Sequence, residues 1–513
     1  MLFTIFGIDF DCLCHTLRLA FGRLFDFLDI DPDRLRDVFL YHSDEPMIFS
    51  SGLFLWLFAA FLLVYVALQR RQTLRLLFVT VFSYYFYYKS SGLCFLLLAL
   101  VTLCDFTFAL CMSRTSSPCR RKAWVVLSLA VNLGLLCYFK YTNFLGQCLA
   151  SLTGATFTPL DIFLPVGISF FTFQSLSYTI DVYRRQIPPL RSLLDYAFYV
   201  SFFPQLVAGP IVRARDFIPQ IRQPLFLSNE MLGRGIFLIL SGLFKKAVIS
   251  DYISVNFVER IFDNPTLYSG LENLLGVYGY ALQIYCDFSG YSDMAIGLAL
   301  LLGFRFPVNF DSPYKSASIT EFWRRWHISL SSWLRDYLYI SLGGNRKGRF
   351  RQYVNLIITM FLGGLWHGAS WNFVLWGVLH GFALAAHKVW MGLMGKHGLF
   401  RLPGILLTFH FVCFCWIFFR LADFSTAVDM LRQIFTAFHP QLLPQLLTGY
   451  WAVFFLMFLG YLLHFLPDSW ERACIRSFVR LPLLGKALLT VLLIYLVVQM
   501  KSSEIQPFIY FQF

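Results

Sequence analysis

Apolar stretches long enough to cross a bilayer follow one another along most of this 513-residue chain, and they restrict its fold more than any other feature. The candidates are 52–68, 74–90, 92–112, 123–141, 162–180, 194–208, 232–250, 271–287, 290–304, 353–367, 371–391, 403–421, 450–466 and 483–500. In lipid every backbone N–H and C=O must be satisfied within a helix or a closed barrel. A helix needs about 20 apolar residues to span the hydrocarbon, so the shorter and more polar candidates fall out and about 11–13 crossings are expected, with re-entrant helices beside them. The expected fold class is all-α and polytopic. Composition agrees: 58% of residues are hydrophobic and 14% charged, against roughly 25% charged in a soluble domain.

The net charge is +13, and the basic residues lie in short loops beside the apolar runs. Positive-inside bias accounts for that pattern. It predicts that Gln69–Gln72, Arg114 with Arg120–Lys122, and the Arg472, Arg476 and Arg480 loop are cytoplasmic, with both chain ends outside. No basic patch with interleaved aromatics occurs outside the spans, which argues against nucleic-acid binding. The chain has 12 cysteines and no Cys-x-x-Cys; Cys12/Cys14 and Cys413/Cys415 are weak Cys-x-Cys pairs. Cysteines within apolar runs read as small buried hydrophobes, so neither a disulfide framework nor a metal site is expected.

Residues 1–46 form an acidic extension without the basic start and apolar core of a signal peptide. Met47 is a candidate for the true start. Residues 47–500 read as one membrane domain, since no Pro/Ser/Gly-rich linker divides them, and 501–513 as an aromatic tail. The 305–350 stretch is the least membrane-like and reads as a re-entrant or amphipathic segment.

Ionisable residues at membrane depth cost several kcal/mol and mark function by default. His327 lies in Phe322-Trp-Arg-Arg-Trp-His-Ile-Ser-Leu-Ser331, and His367 in Gly363-Gly-Leu-Trp-His-Gly368. Gly363 and Gly364 permit close approach of backbone or substrate. Arg324 and Arg325, with Trp326 and Trp366, would form a wall for a phosphate-bearing or pantetheine-bearing ligand, because guanidinium offers a fixed fork of donors; an interfacial Trp/Arg belt explains the same residues. Tyr285-Cys-Asp-Phe-Ser-Gly-Tyr-Ser-Asp293 sets Asp287 and Asp293 in a span-like run, where they could orient a histidine or pair with Arg324 or Arg325. No Gly-x-Ser-x-Gly elbow is present, so a serine hydrolase fits poorly. His380 and His387 share a helix face but lack the further ligands of a metal site. Pro and Gly break the runs at Leu164–Ile168 and Phe203–Ile211, as kinks around a cavity would.

Taken in order, Phe203–Pro210, Tyr285–Asp293, Trp323–Asp336 and Gly363–Gly368 resemble the membrane-bound O-acyltransferase family, nearest its bacterial branch that acetylates alginate and D-alanylates teichoic acid. The resemblance runs from about Met47 to Phe513. It implies a ring of tilted helices around a central catalytic tunnel, with His367 as principal catalytic histidine and His327 as the second. It implies a cytoplasmic thioester donor (acetyl-CoA or an acyl carrier), no bound cofactor, an extracytoplasmic polysaccharide acceptor and an SGNH-type acetyl-transfer partner, in a bacterial inner membrane. Phe508, Tyr510 and Phe513 match a Phe-x-Tyr-x-x-Phe motif proposed in that branch to carry the acyl group, which makes Tyr510 a candidate relay. A proton-coupled transporter or flippase with a histidine relay is the rival reading, and a structural scaffold for polysaccharide synthesis is a third. A transporter consumes no acyl thioester, and a scaffold does not depend on His367.

Overall fold

A computed structural model describes residues 37–42, 46–394, 400–500 and 508–509. Most of the 1–46 extension, together with 501–507, Tyr510 and Phe513, lies outside the described residues. Among the described residues all regular structure is helical. The chain is an all-α polytopic membrane protein, as the apolar runs predict.

Among the described residues, five segments are long and apolar enough to cross a membrane: Gln72–Arg114, Pro118–Thr153, Trp371–Met394, Arg401–Arg420 and Leu483–Met500. A sixth arises if Pro440–Gly449 and Trp451–Phe465, bent by 96°, count as one broken span. Gln72–Arg114 is interrupted at Gly92, whose φ of +57° lies in the left-handed region. A side chain there would be strained and would meet the Tyr41 ring at 2.9 Å. The two halves, Gln72–Ser91 and Phe95–Arg114, are each 20 residues long, the length of one crossing. Other expected crossings are shorter or more polar as helices. The 162–180 run, for example, becomes helical only at Ile168, after Pro165 and Gly167.

The expected spans 271–287 and 290–304 are one helix, Gly270–Leu301. Ser269 starts it with a capping box, its side chain accepting from the Glu272 N–H while the Glu272 carboxylate accepts from the Ser269 N–H. Its 32 residues measure about 48 Å at 1.5 Å per residue, well beyond the roughly 30 Å hydrocarbon layer. Asp287, Ser289, Gly290 and Ser292 lower the apolarity at mid-helix, which is where the sequence suggested a break. All four are buried against protein, so the helix does not have to break there.

Gly290 serves a helix crossing. Gly242 of the Asn229–Leu243 helix faces Gly290, and Gly235 faces Gly297, so the two helices run antiparallel. A Cβ on Gly242 would stand 2.3 Å from the Gly290 carbonyl oxygen, and one on Gly297 2.6 Å from that of Gly235. Small residues that let backbones meet are a common means of helix association in membranes. The contact brings two ion pairs into register just past Leu243: Lys245 with Asp293 at 2.7 Å and Lys246 with Asp287 at 2.6 Å.

Arg349–His367 and Trp371–Met394 form a second antiparallel pair built the same way. A Cβ on Gly364 would lie 2.3 Å from the Phe373 carbonyl oxygen, and one on Gly377 2.4 Å from that of Met360. The least membrane-like stretch is a series of short pieces, Pro313–Lys315, Ile319–Arg325, Ile328–Trp333 and a π-turn at Leu334–Tyr339.

Candidate active site

His367 is the last residue of the Arg349–His367 helix and is buried. Gly364 lets this helix end press onto Trp371–Met394, and the imidazole packs edge-on against Trp366, Trp376 and Phe419, with ring centroids 5.0, 5.1 and 5.1 Å away. The helix end is held from outside as well. Lys140 Nζ donates to the carbonyls of Trp366 and His367 at 2.8 and 2.7 Å, Tyr141 Oη donates to that of Leu365 at 2.6 Å, and Trp366 Nε1 donates to that of Ser169 at 3.3 Å. A cavity of about 40 Å³ opens here, lined by Lys140, Pro165, Gly167, Ser169, Trp366 and His367 among others. At roughly 10–15 Å³ per water, it holds a few waters.

His327 occupies the corner between Ile319–Arg325 and Ile328–Trp333, fully buried, with φ +42° and ψ 56°. A non-glycine residue in this region carries about 1–3 kcal/mol of strain and persists only when its surroundings over-determine it. Asn309 does much of that. Its carbonyl accepts from the Ile328 N–H at 2.9 Å, its side-chain oxygen accepts from Ser329 Oγ at 2.8 Å, and its amide donates to Ser292 Oγ at 3.0 Å. Ser329 Oγ in turn accepts from the Ile211 N–H, which draws in the kinked Phe203–Ile211 stretch. The His327 ring lies 4.6 Å from Phe288 and 6.0 Å from Trp366. Trp366 therefore touches both histidines, and Phe170, 5.3 Å from Trp366 and 6.4 Å from His327, closes the gap beside it.

Three of the singled-out residues thus converge: His327, His367 and Trp366. Trp326 is a core residue, packed on Phe310, Phe322 and Trp416. Arg324 is exposed, and Arg325 closes local loops by bonding Glu321 at 3.0 Å and Asp311 at 3.3 Å. Neither arginine is among the residues lining the His367 cavity.

Asp287 and Asp293 pair with Lys246 and Lys245, not with the arginines, because the glycine crossing sets the lysine-bearing turn against this face. Asp287 has a second role: its Oδ2 accepts the backbone N–H of Ile509 at 2.9 Å. The neighbouring Phe508 ring lies 4.9 Å from Tyr291 and 5.6 Å from Phe288. Phe508 and Ile509 thus lie beside the ring that touches His327. Tyr510, the next residue, lies outside the described residues.

His380 and His387 do not converge. His380 Nδ1 accepts from Trp323 Nε1 at 3.3 Å, and His387 Nδ1 bonds Thr320 Oγ1 at 2.8 Å. Further from the centre, Asp336 is met by Arg213 at 2.5 Å, Arg335 at 2.6 Å and Arg215 at 3.6 Å. Burial pushes its carboxyl up, but hydrogen bonds and charge from Arg335 and Arg213 outweigh that and hold it below the usual value.

Sequence reasoning passed over Lys140, Asn309, Phe170, Phe288 and Trp376. Only Lys140 left a usable signal, a lysine within the apolar 123–141 run, where charge is costly.

Comparison with known proteins places the chain in a family. The family model described as MBOAT, membrane-bound O-acyltransferase family, matches residues 82–428. A probable alginate O-acetylase of Pseudomonas putida is 42% identical over 401 residues, 76% of this chain and 80% of that protein. A peptidoglycan O-acetyltransferase of Helicobacter pylori is 40% identical over 357 residues, 64% of this chain and 67% of its own length. A teichoic acid D-alanyltransferase of Bacillus subtilis is 30% identical over 276 residues, 50% of this chain and 68% of its own.

Proposed function

Since the chain belongs to the membrane-bound O-acyltransferase family, we propose that it moves an acetyl group from a cytoplasmic thioester, acetyl-CoA or an acyl carrier, towards O-acetylation of an extracytoplasmic polysaccharide. The relatives named for alginate and peptidoglycan acetylation support the acyl group and the acceptor class. The observation that carries the chemistry is the meeting of His367 and His327 on the two sides of Trp366, with His367 facing a cavity scaled to a small group.

In this reading His367 is the general base. It takes the proton from an acceptor hydroxyl as that oxygen attacks the thioester carbonyl carbon, and the carbonyl electron pair moves onto oxygen. Collapse breaks the C–S bond, and the departing thiolate recovers the proton from the imidazolium, so ester and thiol form with no net proton change. His327 belongs to the acceptor side, through Phe288 and Phe508.

That placement supports Tyr510 as the first acceptor hydroxyl, from which an SGNH-type partner outside the membrane would take the acetyl group on to the polymer. Location in a bacterial inner membrane belongs to the same reading.

The test is intact mass and CoA release after incubating the purified full-length protein with acetyl-CoA, beside His367→Ala and Tyr510→Phe. General-base catalysis is worth about 10²–10⁴-fold, and His367→Ala is expected to lose that much turnover while remaining folded. An acetyl adduct absent from both variants supports the tail relay. CoA release that survives Tyr510→Phe without an adduct removes the relay and leaves the acyltransferase. Unchanged turnover in folded His367→Ala overturns the assignment of the base.

A further inference from the structure

The mechanism above leaves one charge without a partner: the negative oxygen of the tetrahedral intermediate. Among the described residues that line the His367 cavity, Lys140 is a cation to which it gives no role. Lys140 sits in a π-turn, Cys137–Tyr141, inside the Pro118–Thr153 span. Its ammonium makes two hydrogen bonds, to the carbonyls of Trp366 and His367. Among the described residues it forms no ion pair with a carboxylate, unlike Lys245 and Lys246 in the glycine-crossed core.

An ammonium has three donors, so two bonds leave one, and Lys140 lines the same cavity as His367. The negative end of a helix, where Lys140 docks, stabilises a cation by a fraction of a charge. That compensates in part for a lysine in a span. A helix cap alone would need no charge. The adjacent Tyr141 hydroxyl caps the Leu365 carbonyl without any.

The geometry points to Lys140 as the oxyanion-stabilising residue of the His367 site. It docks on the carbonyls of the residue pair that carries the base and directs its third N–H at the acyl oxygen. As the acceptor oxygen bonds to the thioester carbon, the electron pair displaced onto the carbonyl oxygen accepts a hydrogen bond from Nζ, which keeps its proton. When the C–S bond breaks, the carbonyl reforms and the hydrogen bond weakens. Docking on the peptide of His367 itself holds base and oxyanion donor in one rigid relation, which transition-state stabilisation requires. This assignment rests on the acyltransferase reading.

The test is CoA release from acetyl-CoA by full-length wild type, Lys140→Gln, Tyr141→Phe and His367→Ala, with thermal melting of each. Glutamine keeps N–H donors for the helix carbonyls and removes the charge. The expected result is a kcat about 10²–10³-fold lower in Lys140→Gln, the loss typical of one oxyanion donor, with KM for acetyl-CoA changed only a few-fold. Tyr141→Phe, which loosens the same helix end without touching charge, is expected to stay within a few-fold of wild type. Wild-type kcat in Lys140→Gln, or an equal loss in Tyr141→Phe, overturns the proposal while His367-dependent turnover preserves the acyltransferase reading. Wild type without His367-dependent turnover overturns both. If Lys140→Gln does not fold, Lys140→Ala with added methylammonium decides: recovered kcat supports the assignment, and no recovery overturns it.

Discussion

The Gly270–Leu301 and Leu483–Met500 helices are both apolar, and they stand in opposite surroundings. The second has no buried residue, and large apolar side chains such as Leu484, Leu488 and Val491 face outward. The first is buried along most of its length and carries Asp287, Asp293 and several glycines. Lipid is as apolar as leucine, so no hydrophobic gain separates a leucine facing lipid from one facing a helix. What holds the buried helix is backbone proximity at glycine and paired charge. In a membrane, polar and small residues therefore mark the interior, the reverse of a soluble protein.

Mutations can break or sharpen this contrast. The largest effect is expected from Lys246→Met, which leaves Asp287 buried (3% side-chain exposure) and bereft of a principal cation. Breaking a buried pair on one side typically costs about 3–5 kcal/mol. Denaturation of the purified protein should show a loss on this scale; near-wild-type stability would mean that the pair does not hold the crossing. Next comes Gly242→Val. Its side chain has no room beside the Gly290 carbonyl, and overpacking of this kind costs about 1–3 kcal/mol. A drop in melting temperature checks it, and an unchanged melt would show that the helices can separate freely. The smallest effect belongs to Leu488→Ala on the outer helix, 62% exposed; surface changes usually stay within about 0.5 kcal/mol. A large loss there would indicate that this helix packs against something in the membrane.

How far the site could be read beforehand follows the same division. His327, His367 and Trp366 were legible because imidazoles in apolar, glycine-flanked runs stand out one by one. Arg324 and Arg325 were conspicuous for the same reason and point elsewhere, since a residue's chemistry does not reveal its direction. The 305–350 stretch was recognisable as irregular, but the left-handed corner at His327 depends on Asn309, which nothing in the local pattern singles out. Asp287 and Asp293 were found and their lysines were not. The partners lie 41 and 48 residues away across a glycine contact that hydropathy cannot register.

Helical class, membrane placement and the two histidines follow from the sequence alone, because lipid obliges each span to satisfy its own backbone and makes every ionisable side chain within it conspicuous. Tertiary structure alone decided which groups meet. Lys140 reaches the carbonyls of residues 226 and 227 positions further along, and the Ile509 N–H reaches Asp287 across 222. Such pairings depend on how helices cross and on which faces glycine allows to touch, and neither is a property of any one span.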